Sequence, residues 1–216
     1  NNYLKEKLDK FVTNLHFKAI KKSGFLNKAE LIGFHGQTIF HDPKIRSIQI
    51  GEPQLLANLT KRKTVFNFRD TDILHNGEGA PIAPIFHKFL IIKNKIELPC
   101  CFLNIGGISN LSYWDGSELI GFDTGPGNNL MDDYVQSYTE CLYDISGNIA
   151  SKGKVNQELL EKFLSNNYFK KLYPKSVDKK FFNNEFKLLI DANIGLYNSL
   201  ATLAEFTINT IFNSIK

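Results

Sequence analysis

The stretch Gly121-Phe122-Asp123-Thr124-Gly125-Pro126-Gly127-Asn128-Asn129 decides how this chain is read. The apolar run Leu119 to Phe122 has strand character and delivers Asp123 at its C-terminal end. The Gly-Pro-Gly run then turns the chain into a helix, predicted from about Asn129 to Cys141. A carboxylate at a strand end beside a helix N-terminus is placed to face a ligand. It serves as a general base when held within about 3 Å of the proton it takes. The open N–H groups of the helix suit an anion. The plain alternative is that Asp123 or Thr124 caps the helix.

Working back from this segment, Leu98 to Ile105 reads as a strand running into Gly106-Gly107, and Ile108 to Trp114 as its return. Asp115-Gly116 is a strong hairpin signal before Leu119. Gly106 and Gly107 would let backbone N–H groups approach a phosphate. A lone Gly-Gly turn is better explained as an ordinary hairpin, but Asn104 and Asn110 flank it symmetrically. Downstream, helices are predicted near Asn156 to Leu164, Asn184 to Ile190, and from Ala192 to the end.

Upstream of Pro99, strands alternate with helices. Leu4, Leu8, Phe11, Val12, Leu15 and Ala19 follow helical spacing, and Ser23-Gly24 closes that helix. Leu31 to Phe34, Ser47 to Ile50 and Thr64 to Phe68 read as strands. Pro53 opens a helix through Thr60, where its missing N–H is harmless. Asp72 to Ala80 reads as a loop, and Pro81 to Ile92 as a helix or a Pro-broken one. The change of pattern predicts a domain join near Pro99, giving residues 1–98 and 99–216.

Composition bounds the function. The 216 residues amount to about 1.4 domains at about 150 residues each. Apolar residues at 43% can build a core. No window approaches the roughly 18 apolar residues of a membrane span. The net charge of +4 is mild and the basic residues, mostly Lys, are scattered, which argues against nucleic-acid binding. The odd count of three cysteines, with Cys100 and Cys101 in an apolar run, suggests buried free thiols in a reducing cytosol. A start without Met and an end inside an apolar helical pattern suggest a piece of something longer.

His35 and Gln37 end the first strand, and His41-Asp42 follows. Without a Cys or a second paired His to join them, they read as hydrogen-bonded loop residues, and no metal site is assigned. Arg69 ends another strand beside Asp70 and Asp72, placed either to clamp an acid or to pair with them. His87, on the helix after Pro81, reads as structural.

Together these segments resemble the anhydro-N-acetylmuramic acid kinase family. The matching stretches, in family order, are GFHGQTIFHDP (33–43), SIQIGEPQLLA (47–57), FRDTDI (68–73), GEGAPIAPIFH (77–87), LNIGGISNL (103–111), GFDTGPGNNLMDDYV (121–135) and PKS (174–176). The resemblance implies an α/β, actin-like two-domain ATPase fold of the sugar kinase and Hsp70 kind, truncated here. Residues 1–98 would be the remainder of the N-terminal domain and residues 99–216 the first part of the C-terminal one. It implies a cytoplasmic enzyme of peptidoglycan recycling that uses ATP with Mg²⁺ to open the 1,6-anhydro ring of its sugar and phosphorylate O6, with a homodimer as candidate assembly and no nucleic-acid or membrane partner. The family's catalytic Asp maps onto Asp123, and its phosphate-side residues onto Asn104, Gly106, Gly107, Gly125 and Gly127. His35, Gln37, Arg69, Thr124 and Asn128 are the candidates for the sugar. The family's opening GTSxDG-type segment and its closing glycine-rich segment are not in this sequence. Val177-Asp178 replaces the usual Thr-Gly, and Glu78 replaces a commonly uncharged residue. The chain alone is therefore expected to lack turnover. A non-catalytic remnant and a sugar kinase of other specificity are the competing readings.

Overall fold

The computed structural model describes residues 2–42, 45–177 and 179–215. The chain folds as two compact units, Asn1–Ile82 and Ala83–Lys216. The helix that precedes Pro99 thus groups with the second unit, whereas the sequence pattern placed the join at Pro99.

The first unit runs α1 (Asn2–Lys22), β1 (Leu31–Gly33), β2 (Gln37–Asp42), β3 (Arg46–Ile50), α2 (Pro53–Thr60), β4 (Lys63–Val65) and α3 (Asp70–Leu74). β1 pairs in parallel with β4, and β2 pairs antiparallel with β3. The α1 helix forms as predicted but buries a different face. Leu4, Leu8, Phe11 and Leu15 are exposed. The side that packs carries Thr13, whose hydroxyl accepts the Glu52 N–H at 2.7 Å, and Asp9, whose carboxylate accepts the Gly51 N–H at 2.8 Å. These N–H groups precede α2, which has no side-chain cap of its own. Satisfying them decides the rotation of α1, because an unpaired buried N–H is expensive. Within the predicted loop 72–80, Asp72 belongs to α3 and closes the following turn. Its carboxylate accepts the Gly79 N–H at 2.7 Å, and its carbonyl accepts the Gly77 N–H at 2.8 Å.

The second unit runs α4 (Ala83–Asn94), β5 (Cys100–Ile105), β6 (Ile108–Trp114), β7 (Leu119–Pro126), α5 (Asn129–Tyr138), α6 (Gln157–Leu164), α7 (Asn183–Ala192) and α8 (Leu196–Ile215). Its antiparallel sheet has the order β5-β6-β7. One sheet face carries α4, where His87 stacks on Phe102 at 4.7 Å between ring centroids and meets the Ser112 hydroxyl at 2.8 Å. His87 is structural, as its sequence setting suggested. Helices α5 to α8 build the core from Leu130, Val135, Leu160, Phe163, Leu200, Leu203 and Phe206. The two helices expected at Asn184 to Ile190 and from Ala192 form as α7 and α8, with the break lying slightly later, where Asn193 (φ 46°) and Gly195 (φ 80°) are both left-handed.

The cysteines are free but not buried: Cys101 and Cys141 are exposed and Cys100 is half-buried. β5 is an outer strand, so the apolar run around Cys100 and Cys101 does not enclose them. Among the described residues, no helix is long and apolar enough to cross a membrane.

Candidate active site

The register of the second unit's sheet sets three polar residues side by side. Asn104 on β5 lies opposite Asn110 on β6, and Asn110 lies opposite Asp123 on β7. Directly opposed residues point to one face, so the row Asn104–Asn110–Asp123 forms a polar band on the face that carries α4. Asn110 is the member the sequence noted only as a flank of the glycine turn.

Asp123 lies inside β7, which continues through Pro126, and not at a strand end as predicted. A register shift between Ser109 and Asn110 leaves Thr124 without a partner in the ladder, as in a β-bulge. Because β7 is an outer strand, the polar groups of Asp123 on that side need partners from elsewhere. The segment after α6 supplies them. The Asp123 N–H donates to the Lys175 carbonyl at 3.0 Å, and the Tyr168 hydroxyl donates to the Asp123 carbonyl at 2.7 Å. The Val177 N–H donates to the Asp123 carboxylate (Oδ2) at 2.9 Å. Burial pushes the Asp123 carboxyl up to about 6, against the pull of the Val177 N–H. A carboxylate held this way is near its titration point at neutral pH, which suits a general base. The contact from residue 177 is made by backbone, so having Val there in place of the usual Thr leaves it intact. Asp178 lies outside the described residues.

Other expected site residues have different roles here. Thr124 is fully buried, its hydroxyl 2.6 Å from that of Ser109, so it secures the bulge and does not line a sugar pocket. Gly125 and Gly127 are both buried. A Cβ on Gly127 would collide with the Gly106 carbonyl, and one on Gly125 would lie 2.9 Å from the Thr210 hydroxyl. Both glycines are needed for close packing. The N–H groups that lead into the helix N-terminus are also not open to an anion as expected. The N–H groups of Gly127 and Asn129 donate to the Gly107 carbonyl at 2.9 and 3.1 Å, and that of Asn128 donates to the Gly106 carbonyl at 2.8 Å. The Asn128 side-chain amide donates to the Ile105 carbonyl at 3.1 Å. The Gly-Gly turn therefore caps α5 through its carbonyls, while Asn104 and Gly107 remain exposed.

In the first unit, the structure brings His35 and Arg69 together. Arg69 donates through Nε to His35 Nε2 at 3.0 Å and through a terminal nitrogen to the Gly79 carbonyl at 3.1 Å. Accepting at Nε2 requires His35 to be neutral there, with any ring proton on Nδ1, which faces the Gly36 carbonyl at 3.3 Å. Among the described residues, the guanidinium's hydrogen bonds go to these groups and not to Asp70 or Asp72. Both side chains line a small cavity of about 50 Å³ with Phe34, Gln49 and Phe68. Gln37 is exposed on β2 and donates to the Thr38 carbonyl at 3.4 Å, apart from the His35–Arg69 pair. Both ring nitrogens of His41 are buried and unpaired; burial first, then the charge of Arg69, lower its pKa.

Comparison with known proteins bears on the family. A family model described as anhydro-N-acetylmuramic acid kinase matches residues 2–216. The chain is 40% identical over its whole length to the anhydro-N-acetylmuramic acid kinase of Pelagibacter ubique, covering 58% of that protein. It is 42% identical over 86% of its length to the enzyme of that name from Hydrogenovibrio crunogenus, covering 51% of it. For the Zymomonas mobilis protein of the same name the identity is 39% over 95% of this chain and 57% of the relative. The chain thus spans between half and three-fifths of the length of these curated relatives. The match along residues 2–216 shows that this chain belongs to the anhydro-N-acetylmuramic acid kinase family.

Proposed function

We propose that the chain carries the acid–base part of an ATP-dependent kinase that opens the 1,6-anhydro ring of anhydro-N-acetylmuramic acid and phosphorylates O6. The observation that carries this reading is Asp123, held at its N–H, carbonyl and carboxylate at the end of the Asn104–Asn110 row, where burial pushes its carboxyl up to about 6. In the reaction, Asp123 takes a proton from the water that attacks the anomeric carbon. The C1–O6 bond breaks, O6 attacks the γ-phosphorus, and ADP leaves. The products are the 6-phosphorylated amino sugar and ADP, with the proton on Asp123. Asn104 in the same row and Gly107 in the β5–β6 turn are exposed and are offered to polar ligand atoms. The His35–Arg69 pair offers a fixed cation and ring for a sugar or its acid group. The two-domain actin-like fold and a cytoplasmic setting belong to the same proposal.

The described residues do not assemble a protein cage for Mg²⁺. No group of three His, Cys, Asp or Glu among them is placed to hold an ion. The proposed step is therefore derived from Asp123 alone.

The test is a chimaera in which this chain replaces the matching region of the Pelagibacter ubique relative, assayed for sugar phosphate by ³¹P NMR. Losing a positioned base costs about 10²–10⁴ in rate, so Asp123→Asn should lower kcat by that factor. Turnover within a few-fold of the parent chimaera would refute the assignment. A second reading, a fold remnant without turnover, is favoured for the chain by itself. Leu103 and Ile105 on the sheet and Ile208 and Ile215 on α8 are large apolar side chains left exposed. ATP-dependent product from the purified chain alone would overturn that second reading.

A further inference from the structure

We infer that residues 168–177 act as a strap that positions Asp123, with Tyr168 and Val177 as positioning residues. The inference rests on Asp123 being the base proposed above and adds what holds it. In the order β5-β6-β7, the far edge of β7 has no strand beside it among the described residues. At that edge the N–H and carbonyl of Asp123 both point outward, where they meet Lys175 and Tyr168 at 3.0 and 2.7 Å. The strap then folds over the side chain so that the Val177 N–H reaches the carboxylate at 2.9 Å. Each polar contact described for Asp123 thus comes from one ten-residue piece of chain and none from its own sheet.

The strap is itself anchored. Tyr168 is 2% exposed and its ring is wedged against Phe169, Phe181 and Phe182 at 5.6, 5.4 and 6.1 Å between centroids. Its N–H is capped by the Asn166 side chain at 2.9 Å, and that amide donates to the buried Glu185 carboxylate at 2.6 Å. The aromatic packing fixes the direction of the Tyr168 hydroxyl, so the hydroxyl locates the carbonyl of Asp123 and with it the strand. Further along, the Lys175 ammonium lies over the rings of Phe122 and Tyr168, at 5.7 and 5.0 Å. Tyr173 stacks on Phe122 at 5.7 Å. The segment that orients the carboxylate is also the cover that keeps water from it, so position and proton affinity are set together.

The experiment compares the intact chain with Tyr168→Phe, which keeps the ring in its aromatic niche and removes the hydroxyl. Two readouts are followed: amide hydrogen exchange, and the titration of the Asp123 carboxyl by NMR with ¹³C-labelled aspartate. A strap predicts that the Asp123 and Val177 amides exchange about two- to tenfold faster while other β6–β7 amides are unchanged, the effect of losing one ordinary hydrogen bond. It also predicts that the Asp123 midpoint falls from about 6 toward 3.8 as water gains access. Uniformly faster exchange with an unmoved midpoint would reduce Tyr168 to a packing residue and overturn the inference. If Tyr168→Phe fails to fold, Val177→Pro removes the N–H from outside the aromatic niche. The strap then predicts a rise of the Asp123 midpoint, and an unchanged one overturns it. In the chimaera, a turnover defect in Asp123→Asn but none in Tyr168→Phe would sink the strap and leave the base assignment standing. No defect in Asp123→Asn would sink the base assignment instead, while the exchange and titration results would still judge the strap.

Discussion

Asp123→Asn separates the stability of this protein from its proposed chemistry, and the separation has a predictable pH course. The carboxyl titrates at about 6 in the folded chain against an ordinary value of 3.8. The folded state therefore binds the proton more tightly than the unfolded state. Stability from this site is fully present below about 3.8 and is lost as pH rises through about 6. The gap of about two pH units, at about 1.36 kcal/mol each, makes the ionised carboxylate a burden of roughly 3 kcal/mol at pH 8. An Asn side chain carries no charge, and its oxygen can still accept the Val177 N–H. The variant and the parent should have similar stability near pH 4, and the variant should be more stable by roughly 3 kcal/mol at pH 8. With a urea slope of about 2 kcal/mol/M this is a midpoint shift of about 1.5 M. Trp114 is the only tryptophan, and it is buried in β6 of the same sheet, so its fluorescence follows this unit. Urea curves at matched ionic strength from pH 4 to 8 give the profile. A difference that stays constant across that range would refute both the burial argument and the assignment of a raised proton affinity.

Other substitutions test the packing around the site. Gly127→Ala places a Cβ against the Gly106 carbonyl and should destabilise the second unit by about 1–3 kcal/mol, read from the same fluorescence transition. Asn156→Ala removes the side chain that accepts the Leu159 N–H at 3.0 Å at the start of α6, and should cost about 1 kcal/mol in the same assay. Ser112→Ala leaves His87 Nδ1 without its 2.8 Å partner in a partly buried place, and should lower stability by about 1–3 kcal/mol. Burial already holds the His87 pKa below its ordinary value. A loss in Ser112→Ala that vanished at neutral pH would contradict a neutral, hydrogen-bonded ring.

Much of the second unit was legible because its signals are local. The Gly106-Gly107 turn joins strands whose boundaries match the apolar runs around it, and Asn156 starts α6 where a capping residue belongs. Asp123 was legible as a lone acid ending an apolar run. The partners that define it were not, because Tyr168 and Val177 lie 45 and 54 residues further along the chain. One of those contacts is made by a backbone N–H, which no side-chain pattern encodes. The face of α1 was misread for a related reason. Counting apolar residues selects Leu4, Leu8, Phe11 and Leu15, while the contacts that set the helix come from Asp9 and Thr13 meeting backbone donors.

The Gly-Pro-Gly run looked like a turn beyond the strand, and the reason β7 continues into it, through Pro126, explains how the site is made. A regular ladder would have continued the pairing of Asn110 with Asp123 into Ser109 with Thr124. The bulge instead pairs Ser109 with Gly125, and Thr124 becomes the extra residue. Its hydroxyl finds the Ser109 side chain at 2.6 Å, so the additional polar group is satisfied inside the protein. Gly125, at φ 156°, lets the strand pass close to Thr210 on α8. The strand can then deliver Gly127 to the Gly106 carbonyl and start α5 there. The extra residue thus keeps Asp123 in line with Asn104 and Asn110 on one face while the chain beyond it is fastened to α8 and to the glycine turn. Without the bulge, residues after Asp123 would alternate in the opposite sense, and the acid and the start of α5 could not both keep their present contacts. The glycines of this motif therefore serve the acid by letting backbone approach backbone, and the acid's own environment is completed from the other side by the segment that includes Tyr168.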